Sequence, residues 1–417
     1  FAAGVEAAAS TGGQLMPPVM GAGAFVMSSY TQIPYLTIIA VSVLPALLYF
    51  LTVAFFVRIE ARRLNVATDE AGDGPPAWET LKTGWHFIIP LAVLVVSLVV
   101  GYTPVRSATF AIFAVIVVSW FTGTPMNLER CIDAILDALR IMVPTAILLV
   151  AVGLVVNVVT TTGLGNAFSV MIVDWAGGSL MLTLVLVALA SLILGMGLPV
   201  TASYIVLATL AAPALYDLIS QSVMLEALSA GDLPSNVRAV VDLFGGDPTR
   251  ALNEMPAEMR QLVRNELLDP ALVTGMLLSA HLIIFWLSQD SNVTPPVCLV
   301  AFTAAAIAGT KPMRTGLTSW KVAKGLYLVP VLFAFTPLIT GSWSDRLVVF
   351  FFACFGLYAL AGLLQWHLES RLNVVTGALL AAAALLLIWT PLGITAHVAG
   401  ALLLSGVVAW QRKTAKR

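Results

Sequence analysis

Charge is scarce in this chain: only 10% of its 417 residues are Asp, Glu, Lys or Arg, against about 25% in a soluble domain. The 21 basic and 22 acidic residues leave a formal net charge of −1, which excludes the basic footprint that nucleic acid demands. Cysteine is rarer still. Cys131, Cys298 and Cys354 are far apart with no CxxC spacing, so they read as small apolar residues rather than redox or metal centres. The four histidines form no cluster with carboxylates that suits a transition metal. His86 and His367 fall at expected helix ends. His281 lies about 11 Å along a helix axis from the nearest polar segment, too far for a direct role there. No nucleophile–base pair or paired carboxylates stand out, which argues against a membrane-embedded enzyme.

Apolar residues fill the space that charge leaves. The chain is 59% hydrophobic with a mean hydropathy of +0.95, the composition of an all-α polytopic membrane protein. Runs of about 20 apolar residues span a bilayer. Segments 33–57, 86–102, 107–121, 141–161, 326–340, 347–364, 374–389 and 394–410 meet or approach that length. Charged connectors at 58–84 and 127–140 separate some of them. In the second, Leu128, Cys131, Ile132, Ile135, Leu136 and Leu139 recur at helical spacing opposite Glu129, Arg130, Asp133 and Asp137. That pattern suits an amphipathic arm helix at the interface or an ordinary loop helix.

Three apolar regions are broken by polar, helix-interrupting residues. Ser10-Thr11-Gly12-Gly13-Gln14-Leu15-Met16-Pro17-Pro18-Val19 precedes the small-residue stretch 20–27, and Ser288-Gln289-Asp290-Ser291-Asn292-Val293-Thr294-Pro295-Pro296-Val297 precedes 298–308. One offset carries Pro17-Pro18-Val19 onto Pro295-Pro296-Val297, Ser10 onto Ser288, Gln14 onto Asn292 and Pro34 onto Pro312. Within region 180–215, Gly195-Met196-Gly197-Leu198-Pro199-Val200-Thr201-Ala202-Ser203 is the third break. Hydrocarbon tolerates irregular backbone only where it lines a cavity or packs in protein, and such a break in each half points to a transporter's substrate site.

Basic residues set the expected topology, because short cytoplasmic loops collect them. If 180–215 is a re-entrant hairpin and 273–309 a single broken span, one side receives fifteen of the 21 basic residues, including Lys416 and Arg417. Any other path collapses that asymmetry. The C-terminus is then cytoplasmic, and the acidic loop 216–269 faces outward as a solvated insertion or a docking face.

The breaks offer chemistry without metals or cofactors. Exposed N–H groups at half-helix N-termini favour an anionic group, while carbonyls and hydroxyls suit Na⁺. Glu6 and Asp290 are the acids nearest the breaks, and acids at membrane depth face interior cavities. Asp290 is a candidate cation ligand or proton carrier, or a helix cap; Glu6 is a candidate coupling acid or an interfacial residue.

Segment 6–21, the stretch from Gly195 to Tyr204, Thr294-Pro295-Pro296-Val297-Cys298 and the run from Gly309 to Gly316 together resemble the fused membrane subunit of TRAP transporters, of the TAXI-associated type. The similarity covers roughly residues 1–340. It implies an elevator-type secondary transporter of the bacterial inner membrane with inverted repeats, re-entrant hairpins and broken helices. It also implies an extracytoplasmic solute-binding protein that delivers a small organic anion (a dicarboxylate, oxo-acid or amino acid), and import driven by a Na⁺ or H⁺ gradient. Carried over by position, substrate contact falls to Ser10, Thr11, Gly12, Gly13, Gly195, Gly197, Pro199, Thr201 and Ser203. Cation contact falls to Thr201, Ser203, Asp290, Ser291, Asn292 and Thr294.

On this reading 1–57 completes a first repeat and 58–140 connects. Segment 141–340 is the second repeat, and 341–417 supplies additional C-terminal helices. The pattern opens inside a helix at Phe1, so the reading expects an N-terminally truncated fragment, with the first repeat's hairpin upstream. The insertion 216–269 is longer than the resemblance suggests. A binding-protein-independent carboxylate carrier of related fold and a transport-incompetent scaffold are the competing readings.

Overall fold

The computed structural model of the chain describes residues 1–64, 76–231, 233–389 and 393–415. The expectations that rest on 65–75, Asp232, Lys416 and Arg417 lie outside the described residues. Those residues fold into helices α1 (Ala2–Gly12), α2 (Ala22–Thr31), α3 (Tyr35–Arg63), α4 (Ala77–Val100), α5 (Pro104–Ser119), α6 (Leu128–Thr161) and α7 (Leu164–Trp175). They continue with α8 (Leu180–Gly195), α9 (Val200–Ser229), α10 (Ser235–Leu243), α11 (Pro248–Glu254), α12 (Ala257–Leu267) and α13 (Pro270–Leu287). The chain then adds α14 (Asp290–Val293), α15 (Leu299–Ile307), α16 (Pro312–Val322), α17 (Gly325–Phe335), α18 (Trp343–Gln365), α19 (Val374–Ile388) and α20 (Gly393–Ala415). No strand occurs among the described residues, and six helices are long and apolar enough to cross a membrane. The protein is an all-α polytopic membrane protein.

Local chemistry explains most helix ends. Gly101 closes α4 in the left-handed region at φ 99°, and Thr103 then caps α5 with Pro104 in its first turn. Ser342 with Asp345, and Asn373 with Thr376, form capping boxes on α18 and α19, satisfying orphan N–H groups at each start. Two segments depart from simple hydropathy. Residues 127–140 run without interruption into 141–161 as the single helix α6, with Pro144 inside it. Segment 326–340 yields only the 11-residue α17, because the chain turns extended at Thr336 (φ −134°, ψ 158°) before Pro337. Eleven residues rise about 16 Å, half a hydrocarbon core.

Burial is concentrated on α13, where every residue from Leu278 to Leu287 is buried. Helices α8 and α9 form a hairpin whose α9 arm packs along α13. The segment 216–269 continues α9 to Ser229 and then folds into α10–α12. Asp217 on α9 pairs with Arg260 at 3.2 Å and Arg264 at 2.5 Å, tying α12 down. Helices α18–α20 pack against one another and, through α18, against α3. Glu369, between α18 and α19, is almost fully buried among Arg58, Arg62 and Arg412.

Candidate functional site

The second break forms where α13 gives way to the single turn α14 and then to extended chain through Pro295-Pro296 before α15. Proline lacks an N–H and blocks the preceding turn, so the helix cannot continue. Asp290 is fully buried here, yet no side chain pairs with either carboxylate oxygen among the described residues. Gln289, beside it, is also fully buried with its Nε2 unpartnered, while its Oε1 accepts from Asn292 Nδ2 at 3.4 Å. The Ser291 hydroxyl donates to Ser288 O at 3.3 Å, and Thr294 Oγ1 lies 2.6 Å from Tyr327 Oη on α17.

The α8–α9 tip sits on this break. A Cβ at Gly195 would fall 2.8 Å from Ser291 Cβ and 3.4 Å from Asp290 Oδ1, so only glycine permits the approach. One helical turn to either side of the tip, Ser191 and Ser203 are fully buried with unpartnered hydroxyls. Thr201 is half-buried at the start of α9, whereas Gly197 and Pro199 are exposed, with open space around Gly197. Burying a polar group without a partner costs a few kcal/mol, and an unpaired charge more. Asp290, Gln289, Ser191 and Ser203 thus all carry buried side-chain atoms without a side-chain partner among the described residues, on the broken segment and on the two arms of the hairpin.

The first break is arranged differently. Helix α1 tightens at its end, where Gly13 N donates to Ser10 O and Gln14 N to Thr11 O, both at 3.1 Å. Gly21 N then reaches back to Gln14 O at 2.7 Å across the proline pair. The Ser10 hydroxyl donates to Glu6 Oε1 at 3.2 Å, and Thr11 Oγ1 to Ala7 O at 2.9 Å. Gly12 is buried against Tyr49, and a Cβ there would lie 2.6 Å from the tyrosine ring. Ser10, Glu6 and Gly13 are exposed. The Pro17-Pro18 and Pro295-Pro296 bonds are both cis.

The two breaks approach one another. Ala7 on α1 packs with Cys298 and Ala301 of α15, and Gly23 on α2 abuts Phe285 of α13 and Tyr204 of α9. The structure therefore gathers Asp290, Ser291, Asn292 and Thr294 with the tip, while Ser10 and Glu6 remain at an exposed edge of α1. Helices α2, α9 and α15, which begin at the three breaks, have no side-chain cap at their N-termini, so the first N–H groups of each lack an intrahelical partner.

A cavity of about 510 Å³ opens beside Asp290, lined on one wall by α8 residues and on the other by Thr294, Trp320 and Tyr327. No group of three or more His, Cys, Asp or Glu residues suited to a metal occurs among the described residues. Sequence reasoning missed Gln289, Ser191, Tyr49 and Tyr327. Gln289 stood inside the recognised motif, and its charge-free amide gave no reason to single it out. The other three carry no local signal at all.

Comparison with known proteins locates this geometry in a family. The model of the family described as "Tripartite ATP-independent periplasmic transporter, DctM component" matches residues 1–339. No curated protein and no solved structure matches the chain. The chain belongs to the DctM family.

Proposed function

As a DctM component is the membrane part of a tripartite transporter, we propose that this chain imports a small organic anion delivered by an extracytoplasmic solute-binding protein. The observation that carries the proposal is Asp290, a fully buried carboxylate with no side-chain partner among the described residues, at the contact between a glycine hairpin tip and a broken helix. An inward Na⁺ or H⁺ gradient supplies the missing positive charge. Asp290, Ser203 and Thr294 contribute oxygen toward the ion, and Gln289 Oε1 lies beside them. The uncapped starts of α2, α9 and α15 offer N–H groups to the substrate carboxylate, with Ser10–Gly13 and Gly195–Ser203 on its two sides. Ion binding neutralises the buried acid, so the tip and the break close together only when the cargo is complete. In this reading the hairpin, α13 and the breaks travel as one body, in the manner of an elevator. The TAXI-associated type of binding protein is part of the same proposal.

The test is uptake by the full-length protein in liposomes, with its binding protein and a panel of labelled dicarboxylates, oxo-acids and amino acids. Uptake of at least one anion is expected only under an inward cation gradient and only with the binding protein. Uptake that persists with the gradient collapsed would overturn the coupling. Uptake without the binding protein would favour the independent-carrier reading instead.

A further inference from the structure

The offset that superimposes the two breaks reaches further along the chain, carrying Leu48-Tyr49 onto Leu326-Tyr327. Tyr49 lies on α3, the second helix after the first break, and Tyr327 on α17, the third helix after the second. Each hydroxyl then returns to its own broken segment. Tyr49 Oη donates to Ala8 O of α1 at 2.6 Å, and Tyr327 Oη lies 2.6 Å from Thr294 Oγ1. Two residues related by the repeat thus each make a 2.6 Å bond to their own segment, Tyr49 to a backbone carbonyl just before the first break and Tyr327 to a side-chain hydroxyl within the second.

The two are also mechanically joined. Tyr49 is fully buried, with its ring edge-on to Trp286 of α13. A Cβ at Gly12 would lie 2.6 Å from that ring, and one at Gly325 would lie 2.9 Å from it. One tyrosine therefore fills the space left bare by a glycine in each repeat, and Gly325 stands two residues before Tyr327. Tyr327 in turn lines the cavity with Asp290 and Thr294.

We propose that Tyr49 and Tyr327 are equivalent positioning residues that fix the two breaks in their working shape. Tyr327 does so by orienting the Thr294 hydroxyl, and Tyr49 by holding the α1 carbonyl end above Gly12. A threonine oxygen presents both lone pairs to a cation only when its own proton points elsewhere. In this hydroxyl pair either oxygen can donate, and when Thr294 donates, Tyr327 Oη takes that proton. Phenylalanine at 327 keeps the ring and removes the acceptor. The inference rests on the cation reading of the second break, and it predicts a division of labour that a merely structural tyrosine would not show.

The experiment compares Y327F, Y49F, T294V, the double variant Y327F/T294V and D290N in the full-length protein. Cation half-saturation and substrate KM are read from uptake, and melting temperature is read without cation. Y327F is expected to raise the half-saturating cation concentration about five-fold, the scale of one hydrogen bond, with substrate KM little changed. T294V should match it, and the double variant should add nothing further. Y49F should raise substrate KM by a similar factor and leave the cation curve in place. Additive effects in the double variant, or equal losses of melting temperature and rate with both constants unmoved, would overturn the positioning role. If D290N leaves cation dependence intact, the cation reading of the break fails and this inference falls with it. If D290N abolishes cation-driven uptake while Y327F and T294V leave the cation curve in place, only the tyrosine inference fails.

Discussion

At the first break the Ser10 hydroxyl donates to Glu6, the Thr11 hydroxyl to Ala7 O, and Tyr49 to Ala8 O, whereas at the second Asp290 and Gln289 lie buried with polar atoms left unanswered. The motifs are related by one offset, share their proline pair and follow the same helix–loop–helix path. Their hydrogen-bond accounts nevertheless differ. The first is closed by its own helix. The second leaves side-chain atoms of Asp290 and Gln289 without a side-chain partner among the described residues. Repetition of a motif therefore establishes a common backbone shape, while the side chains at equivalent positions decide which polar atoms are paired. Gly12 stands where Asp290 stands in the second copy, and that exchange alone removes the acid from the first.

The largest test of this contrast is charge removal. D290N is expected to lower gradient-driven uptake to background, a loss of about 100-fold or more, because a neutral amide cannot balance a bound cation or carry its proton. E6Q, at the exposed edge of the closed break, should leave uptake within about two-fold of wild type, since exposed charges contribute little. An equal loss in both variants would erase the distinction between the copies.

Steric tests come next. G195A and G12A each place a methyl group within 3 Å of a packed neighbour, and overpacking of this kind costs about 1–3 kcal/mol. G197A, with nothing within 4 Å of the added carbon, should behave as wild type. Melting temperature in detergent measures all three. A stable G195A would show that the tip does not need its approach to Ser291.

The finest test is S203A. Deleting a buried hydroxyl that has no partner is neutral or slightly stabilising if the hydroxyl is merely trapped. If Ser203 is a cation ligand, cation half-saturation rises several-fold while the cation-free melting temperature holds or increases. A change in neither measurement would assign Ser203 to packing.

Much of this architecture is written in the chain itself. The scarcity of charge, the apolar runs and the family motifs led to an all-α membrane protein resembling a TRAP transporter's membrane subunit, and the structure and the family match agree to that extent. The polar breaks were legible because Pro-Pro and glycine act on the backbone locally. What escaped was non-local. Tyr327 reaches Thr294 across 33 residues and Tyr49 reaches Ala8 across 41, and nothing near either tyrosine announces its partner. Ser191 looks like any small residue of an apolar helix until its burial is seen. Hydropathy also counts composition rather than chain path. It therefore passed over the turn at Thr336 that shortens α17, and it divided α6, where an amphipathic run becomes apolar without a breaker.

Glu369 has one more implication. The family match stops at residue 339, yet three arginines, two from α3 and one from α20, converge on this one carboxylate beyond it. Gln365 adds a bond from its Nε2 to Phe56 O at 3.3 Å. Such a clasp ties the third helix to the last, so a reporter fixed to the tail beside Glu369 would sit on the same anchor as α3, and the residues past the family match are fastened to those within it.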